Sequence, residues 1–366
     1  ILLKRKEEEK MLKNRPGIHL FHCILILTLF LVLGFKSTLW GASAEEERVA
    51  KLVEGAKKEG KFVWYSQMSL TEAVPMVKKF EEKYPFIKGE LLRLGLNQLL
   101  PKALEEHRAG VNKFDIIYLS GFGLRVLKKT DILQKYMSPH SLSFPQDARD
   151  PDGYGTSGHM IPKVIVYNTK LVSPKDAPKS YEDLLTPKWK GNKLAMDTTN
   201  YEWFANVLKI MGREKAIELM KKISKQQPQI RTGNTLRTTL VSAGEYHAAV
   251  PVNMDRVESM KAVGAPIEWV GAEPVVTLTH MAALAAKSTH PNAAKLFIDF
   301  LLSKEGQETL KSVGIIPART DVLPPRLTKG LKLHYSDTSL AETGYDEIVR
   351  EYDDIFRRRR WKDEKW

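Results

Sequence analysis

The stretch that decides the fold is Val275–Gln307, with the sequence VVTLTHMAALAAKSTHPNAAKLFIDFLLSKEGQ. Its first part is almost continuously apolar, which is typical of a strand that is buried on both faces of a sheet. A polar turn follows at Lys287–Pro291, and apolar residues then recur at helical spacing from Ala293 to Leu302. The stretch therefore predicts a buried strand that leads into an amphipathic helix.

Upstream of this stretch, short apolar strands alternate with amphipathic helices. The predicted order in the first half is strand, helix, strand, helix and strand, over Lys61–Ser66, Leu70–Tyr84, Ile87–Leu94, Asn97–Ala109 and Phe114–Leu119. This order favours a parallel sheet with helical crossovers. A loop-rich stretch over residues 138–158 separates it from a second α/β pattern, which starts with a strand at Pro162–Thr169.

Polar residues stand at the ends of the predicted strands and at the starts of the predicted helices. The candidate ligand-binding residues at these places are Tyr65, Ser66, Ser120, Gly121, Thr198, Thr199 and Asn234. In open α/β sheets ligands bind beyond the carboxyl ends of the strands. Helix N-termini also offer free N–H groups and positive partial charge to an oxyanion. Ordinary helix capping by the same residue types is the alternative interpretation.

Composition narrows the functional classes. The chain has 366 residues, a formal net charge of +13 and one cysteine, Cys23. Its length suits two domains of ordinary size. Residues 1–44 carry seven basic and three acidic residues, so the net charge of the remainder is near +9. A basic surface can attract an anionic solute, nucleic acid or a membrane, and an ordinary solvated surface is the alternative.

The sequence contains no motif typical of a metal site or of hydrolytic or nucleotide chemistry. There is no HExxH zinc motif, acidic calcium loop, GxSxG or Walker A sequence, and His159, His247 and His280 stand alone. Cys23 falls in a segment that we expect to be removed, so no disulfide or Cys-ligated site is expected. We therefore expect a protein that is not an enzyme and that holds no metal and no cofactor.

The N-terminus has the order of a secretory signal. Lys13 and Arg15 precede the apolar run Cys23–Leu33, and the small residues Ala42-Ser43-Ala44 follow it. The apolar run is shorter than the ~20 residues that span a bilayer. We predict a signal peptide over residues 1–44 with cleavage after Ala44. A second candidate for the start of translation is Met11, and a retained membrane anchor is the alternative to cleavage.

Several sequence segments together resemble a known family. They are KKEGKFVWYS, DIIYLSG, VIVYNTK, the Trp-Lys-Gly turn within Lys188–Gly191, and above all STHPNAAKLFIDFLLSKEGQ with VGIIPAR. From about residue 48 to residue 320 the chain resembles the periplasmic solute-binding proteins of ABC importers. The most similar branch includes binders of ferric iron, thiamine, polyamines and phosphonates.

This resemblance implies a two-lobed α/β fold, the type 2 periplasmic-binding-protein fold. Each lobe is a mostly parallel sheet flanked by helices, the lobes are joined by crossing strands, and a hinge closes them over the solute. The implied first lobe is residues 45–160 plus 275–325, and the second is residues 161–274. A C-terminal helical segment and a basic tail occupy residues 326–366. Thr279 and His280, on the returning strand, are implied to pass close to the cleft.

The resemblance also implies a location and partners. We expect a monomeric periplasmic protein that binds a small-molecule solute and no nucleic acid. It would deliver the solute to the permease and ATPase subunits of an ABC importer. A secreted enzyme on the same fold, with His280, Asp197 and Ser120 as its cluster, is one alternative. A receptor that presents its solute to a sensor protein is another.

One departure from the family pattern concerns iron. Ferric-binding members usually place two adjacent tyrosines after the strand that corresponds to Tyr246–Val252. This chain has Asn253-Met254 there. Asn253 offers a neutral donor and acceptor, which suits a small organic or anionic solute better than a bare metal ion. A ferric-ion-binding protein of an iron importer stays the alternative.

Overall fold

The computed structural model describes residues 44–197, 199–341 and 344–356. From residue 55 onwards the described chain forms one compact unit. The strands are β1 (Lys61–Ser66), β2 (Lys88–Arg93), β3 (Ile116–Ser120), β4 (Leu133–Gln134), β5 (Gly155–Asn168), β6 (Leu194–Met196), β7 (Gln229–Ile230), β8 (Ala248–Asn253), β9 (Ile267–Val270), β10 (Val275–Ala285) and β11 (Leu333–Tyr335).

Twelve helices of the α type lie in the described part of the chain. They are α1 (residues 44–59), α2 (Leu70–Lys83), α3 (Leu96–Arg108), α4 (Gly121–Leu127), α5 (Tyr201–Met211), α6 (Arg213–Ser224), α7 (Asn234–Ala243), α8 (Met254–Ala262), α9 (Pro291–Leu302), α10 (Lys304–Ser312), α11 (Pro325–Thr328) and α12 (Tyr345–Phe356). None of these helices has both the length and the apolar character needed to cross a bilayer. The predicted signal peptide lies outside the described residues, apart from Ala44.

One sheet of eleven strands runs through the compact unit, in the order β2-β1-β3-β10-β5-β8-β6-β7. The remaining strands β4 and β11 pair with β10, and β9 pairs with β5. Strands β2, β1 and β3 are parallel, as are β8, β6 and β7. Every antiparallel pairing among the described strands involves β5 or β10. The prediction of an α/β fold with two parallel halves joined by crossing strands is therefore confirmed.

Two clusters of buried side chains pack against this sheet. One cluster includes Leu99, Ile117 and Leu124, and we name the part of the chain around it the first lobe. The other includes Trp203 and Ile223, and we name its surroundings the second lobe. Strand β10 contributes to both clusters, as expected of a strand that crosses from one lobe to the other. The exact lobe boundaries given above stay a prediction.

The C-terminal segment joins the second lobe rather than standing apart. Its helix α12 places Ile348, Tyr352, Ile355 and Phe356 in the buried cluster of that lobe. The Tyr352 hydroxyl donates to the Asp197 carbonyl oxygen at 2.7 Å. The basic tail Arg357–Arg360 lies outside the described residues.

The polar turn of the opening stretch is held by two buried or half-buried carboxylates. Asp115 accepts hydrogen bonds from the Ser288 hydroxyl at 2.7 Å, from the Thr289 N–H at 3.0 Å and from the His290 N–H at 3.1 Å. Glu59 accepts from the Ala293 N–H at 2.8 Å. These acceptors satisfy N–H groups at the start of α9, which otherwise have no partner inside the helix.

The stretch Val275–Gln307 ends in Glu-Gly-Gln, and close packing accounts for the Gly and the Gln of this sequence. A Cβ atom at Gly306 would lie 2.0 Å from the Phe300 carbonyl oxygen, so a side chain does not fit there. The buried Gln307 side chain donates to the Gly158 carbonyl oxygen at 2.7 Å and accepts from the Ala318 N–H at 3.1 Å. The stretch therefore fixes α9, α10 and β5 relative to one another.

One predicted element differs in length from the structure. Strand β5 begins at Gly155, inside the stretch predicted to be a loop, rather than at Pro162. The glycines of this stretch permit close approach of neighbours: a Cβ at Gly155 would lie 2.7 Å from the Ala282 carbonyl oxygen, and one at Gly158 would lie 2.7 Å from the Tyr118 hydroxyl. The glycines thus allow strand pairing here rather than signalling a loop.

Candidate functional site

A cavity of about 510 Å³ lies between the two lobes. The first lobe lines it with Gly95–Gln98 and Phe122, and the second lobe lines it with Thr199–Trp203. Leu278 of the crossing strand β10 and Tyr345 of α12 complete the lining. The volume falls within the range of small-molecule sites, about 300–1,000 Å³.

Two helices begin at the wall of this cavity without a side-chain cap. Helix α3 follows Gly95, which has no side chain, and α5 follows Asn200, whose side chain makes no capping hydrogen bond. The first N–H groups of each helix have no partner inside the helix, and they carry positive partial charge. The cavity wall thus receives the positive ends of one helix from each lobe, which favours an anionic group.

A buried lysine stands behind this wall. Lys163 of β5 is only 4% exposed. Its ammonium donates to the Asn253 side-chain oxygen at 2.7 Å and to the Asn200 side-chain oxygen at 3.3 Å. Burial lowers the Lys163 pKa to about 8. Both hydrogen-bond partners are neutral, and among the described residues the ammonium forms no ion pair with the carboxylates that attract it, those of Asp197, Glu202 and Asp255. A directly bound anionic group would therefore stabilise the charge further.

A buried ion pair fixes the neighbouring loops of the second lobe. The Arg237 guanidinium donates to the Asp197 carboxylate at 2.6 Å and to the Asn234 side-chain oxygen at 3.2 Å. Asn234 also accepts from the Asn253 N–H at 3.2 Å. Asp197 in turn accepts from the Thr199 N–H at 2.9 Å. The pair therefore positions three of the predicted site residues, Thr199, Asn234 and Asn253, in one network.

A second group of charges connects the lobes near the start of α8. Arg256 lies 3.8 Å from Glu72 of α2, which makes an ion pair between the second and the first lobe. The neighbouring Asp255 is 8% exposed, and its Oδ1 atom has no hydrogen-bond partner among the described residues. Burial, together with the nearby Glu72 charge, raises the Asp255 pKa to about 6.

The other predicted site residues do not join this network. The Tyr65 hydroxyl donates to Glu106 at 3.2 Å, and the Ser66 hydroxyl accepts from the Met68 N–H at 3.1 Å. Ser120 caps α4 by accepting from the Gly123 N–H at 3.2 Å. Ser120 thus has the role given by the capping alternative, and solute binding by Tyr65, Ser66 and Ser120 stays a prediction. Thr198 lies outside the described residues.

Gly121, the first residue of α4, and Thr279 and His280 on the crossing strand β10 lie outside the lining of the 510 Å³ cavity. Gly121 and Thr279 instead line a second cavity of about 350 Å³. The His280 Nδ1 atom is buried and has no hydrogen-bond partner among the described residues. Ser120 and Asp197 are bonded to other groups. The His280, Asp197 and Ser120 cluster of the secreted-enzyme alternative is therefore not formed.

The sequence interpretation missed several residues of the site. Lys163 and Arg237 are buried charges, while Phe122 and Tyr345 are cavity-lining rings. The signal for Lys163 was present, because it is the one charged residue in the apolar strand PKVIVYNT. Tyr345 reaches the cavity only through the course of the C-terminal segment, which no local pattern indicates.

The described residues offer no evident cluster for a metal ion. They contain no group of three or more His, Cys, Asp or Glu side chains that could hold one. The G-x-G-x-x-G spacing at Gly153–Gly158 leads into strand β5. It is therefore not the dinucleotide-binding turn, which leads from a strand into a helix.

Comparison with known proteins places the chain in a family. Residues 111–340 match the model of the family described as "Bacterial extracellular solute-binding protein". The chain therefore belongs to this family of solute-binding proteins, which confirms the prediction of a solute-binding protein rather than an enzyme.

Curated relatives cover part of the chain. The major ferric iron-binding protein of Neisseria gonorrhoeae is 29% identical over 160 residues, which is 41% of this chain and 48% of that protein. Iron uptake protein A1 of Synechocystis is 26% identical over 181 residues, which is 45% of this chain and 50% of that protein. The chain thus matches about half the length of these relatives.

Solved structures agree with the fold over most of the chain. Iron-bound HitA from Pseudomonas aeruginosa has a TM-score of 0.69 at 22% identity, and the match covers 81% of this chain and 99% of that one. AfuA from Actinobacillus pleuropneumoniae, with fructose-6-phosphate bound, has a TM-score of 0.70 at 22% identity, covering 82% and 99%. The fold is the type 2 periplasmic-binding-protein fold.

Proposed function

We propose that the protein is the extracytoplasmic solute-binding component of an ABC uptake system. It binds a small solute with an anionic group between its lobes and delivers it to the permease and ATPase subunits. The observation that carries the proposal is the cavity wall itself, where the uncapped starts of α3 and α5 meet the Lys163–Asn200–Asn253 cluster.

The arrangement of charges supports an anion more than a cation. The helix starts contribute positive partial charge from both lobes. Lys163 adds a full charge whose hydrogen-bond partners are neutral amides, and its burial outweighs the attraction of the nearby carboxylates Asp197, Glu202 and Asp255. A phosphate, phosphonate or carboxylate near Asn200 would compensate both the partial charge of the helix starts and the charge of Lys163. AfuA, a structural neighbour, has a sugar phosphate as its bound solute, which is consistent with this chemistry.

Closure of the lobes completes the proposed mechanism. The Glu72–Arg256 ion pair connects α2 of the first lobe to α8 of the second, so it would favour the closed arrangement. A solute that contacts both helix starts would add a further bond between the lobes. The closed, solute-loaded form is then the one that a permease would recognise.

A ferric-ion-binding protein is the second candidate, because one curated relative is described as a major ferric iron-binding protein and another as iron uptake protein A1. The position of the family's tyrosine pair is occupied here by Asn253 and Met254, and their side chains offer no anionic oxygen. The carboxylates near this face are Asp197, which is paired with Arg237, Glu202, which lines the cavity, and Asp255 and Glu72 at the start of α8. Lys163, beside Asn253, would repel a trivalent cation.

A thermal-shift panel tests the proposal. The purified protein is heated with inorganic phosphate, sugar phosphates, phosphonates, dicarboxylates, thiamine, polyamines and Fe³⁺ in turn. A solute at 100 times its Kd stabilises the folded state by about 2.7 kcal/mol. We expect phosphate esters or other organic anions to raise the melting temperature. A shift with Fe³⁺ alone would contradict the proposal and favour the second candidate.

The site of action follows from the predicted signal peptide. We propose that the protein is exported to the periplasm, is cleaved after Ala44 and acts as a monomer. N-terminal sequencing of the protein from the periplasmic fraction checks the cleavage. A mature N-terminus at Met11 would contradict it.

A further inference from the structure

Three aromatic side chains line the 510 Å³ cavity beside its positive wall: Phe122, Tyr201 and Tyr345. We call them the aromatic wall. Phe122 comes from the first lobe and Tyr201 from the second, and the Trp203 side chain, which is 1% exposed, belongs to the buried cluster of the second lobe. The Tyr345 ring lies 4.5 Å from the Phe122 ring and 6.2 Å from the Tyr201 ring, measured between centroids. The aromatic wall thus extends across both lobes, with Tyr345 in the middle.

Tyr345 is brought to the cavity by the C-terminal segment, which is anchored on both lobes. The Ser336 hydroxyl donates to Glu202 at 2.5 Å, and the Asp337 N–H donates to the Asn206 side-chain oxygen at 2.7 Å. On the first lobe, Gly121 leaves room for the Thr338 methyl group, which would lie 2.7 Å from a Cβ there. These contacts place residues 336–338 against both lobes, a few residues before Tyr345.

Tyr345 lies beyond the region that matches the family model, which ends at residue 340. The positive wall, in contrast, is formed largely by residues within the matched region, such as Lys163 and Asn200. Tyr345 thus contributes to the site from outside the matched region, as does the start of α3 at Gly95. We expect Tyr345 to distinguish among anions rather than to bind the anionic group.

Aromatic faces beside a charged site favour a particular shape of solute. Aromatic pairs gain stability from offset or edge-to-face contact beyond the area they bury. A flat, unsaturated ring gains such contacts with the parts of these rings that face the cavity, whereas a hydrated polyol loses hydrogen bonds to water there. Burial raises the pKa of Glu202 at the same wall, and its carboxyl group could pair with a donor on that ring.

We propose that the solute carries a flat aromatic or heteroaromatic ring next to its anionic group, and that Tyr345 is a specificity-determining residue for the ring. This inference rests on the proposed function, because it assigns the anionic group to the positive wall. It adds a chemical class for the part of the solute that lies next to the anionic group.

Calorimetric titration of the purified protein with three probes tests this inference. The probes are phenyl phosphate, glycerol 3-phosphate and inorganic phosphate. We expect phenyl phosphate to bind most tightly to the unaltered protein. Tyr345→Leu keeps an apolar side chain but removes the ring, and it should weaken phenyl phosphate binding by about threefold to tenfold. The matched control Tyr345→Phe keeps the ring and should bind phenyl phosphate like the unaltered protein. Inorganic phosphate should bind all three proteins equally.

The outcomes separate the two proposals. Equal affinity for phenyl phosphate and glycerol 3-phosphate would overturn the ring preference while leaving the anion site intact. If Tyr345→Leu weakened the binding of all three probes equally, Tyr345 would only support the structure, and this result would also overturn the ring preference. Binding of none of the probes would overturn the anion site and, with it, the ring preference.

Discussion

Replacing Lys163 by methionine should stabilise the empty protein and weaken solute binding at the same time. Burial lowers the pKa of Lys163 from 10.5 to about 8. With 1.36 kcal/mol for each tenfold change in the protonation equilibrium, keeping the charge at pH 7 costs the folded state about 3 kcal/mol. Methionine removes this cost and keeps the apolar length of the side chain. It also removes hydrogen bonds to Asn200 and Asn253, worth about 1 kcal/mol each.

Whether Lys163→Met stabilises or destabilises the folded protein depends on pH, and this dependence is specific to the titration of Lys163. Its folded pKa lies below its unfolded pKa, so the cost is fully present below about pH 8 and is lost as the pH rises toward 10.5. Lys163→Met should therefore be more stable than the unaltered protein by about 1 kcal/mol at pH 7, and less stable by about 1 kcal/mol near pH 10.

Urea unfolding at several pH values measures this difference, with Lys175→Met as the control at an exposed lysine. The control should match the unaltered protein throughout. A Lys163→Met variant that is less stable at pH 7, or whose difference does not change with pH, would refute the reasoning. The same variant should lose about tenfold or more in affinity for an organic anion, since hydrogen bonds to charged groups are worth about 1.5–3 kcal/mol.

Three further changes test other parts of the account. Arg237→Met leaves the buried Asp197 charge unpaired, so we expect a loss of about 3–5 kcal/mol in the free energy of unfolding, measured in urea; a loss below 1 kcal/mol would contradict the importance of the pair. Asn253→Tyr removes an acceptor of Lys163 and adds bulk beside it, so the affinity for the natural solute should fall, and unchanged affinity by calorimetry would exclude Asn253 as part of the site. Gly306→Ala places a Cβ 2.0 Å from a backbone oxygen, so the melting temperature should drop clearly, and an unchanged value would refute the packing argument.

The fold was predictable because its signals are local. The apolar strand and the spaced helix of Val275–Gln307 are where the sequence indicated them, and the alternation of strands and helices predicted the parallel halves. The predicted start of β5 at Pro162 was wrong, because Gly155 and Gly158 mark close contacts with Ala282 and Tyr118 rather than a loop. Such contacts join residues far apart in sequence, so a local pattern does not reveal them.

The site was predictable only in part, for the same reason. Thr199, Asn234 and Asn253 do come together in one network, but Arg237 and Lys163 are what hold them there. Tyr65 and Ser66 belong to strand ends that lie away from this network and have local partners. Capping and solute binding use the same residue types, so only the three-dimensional arrangement distinguishes them.

The most direct test of the central claim is the number of protons exchanged when the solute binds. Calorimetric titration at about pH 8.5, in two buffers with different ionisation enthalpies, measures this number. An organic anion beside Lys163 favours the charged ammonium, so binding should take up protons, and the uptake should vanish in Lys163→Met. Metal binding has the opposite sign, because metal ligands must lose protons. Proton release on binding of the natural solute would contradict an anion site at Lys163 and favour a ferric-ion-binding protein.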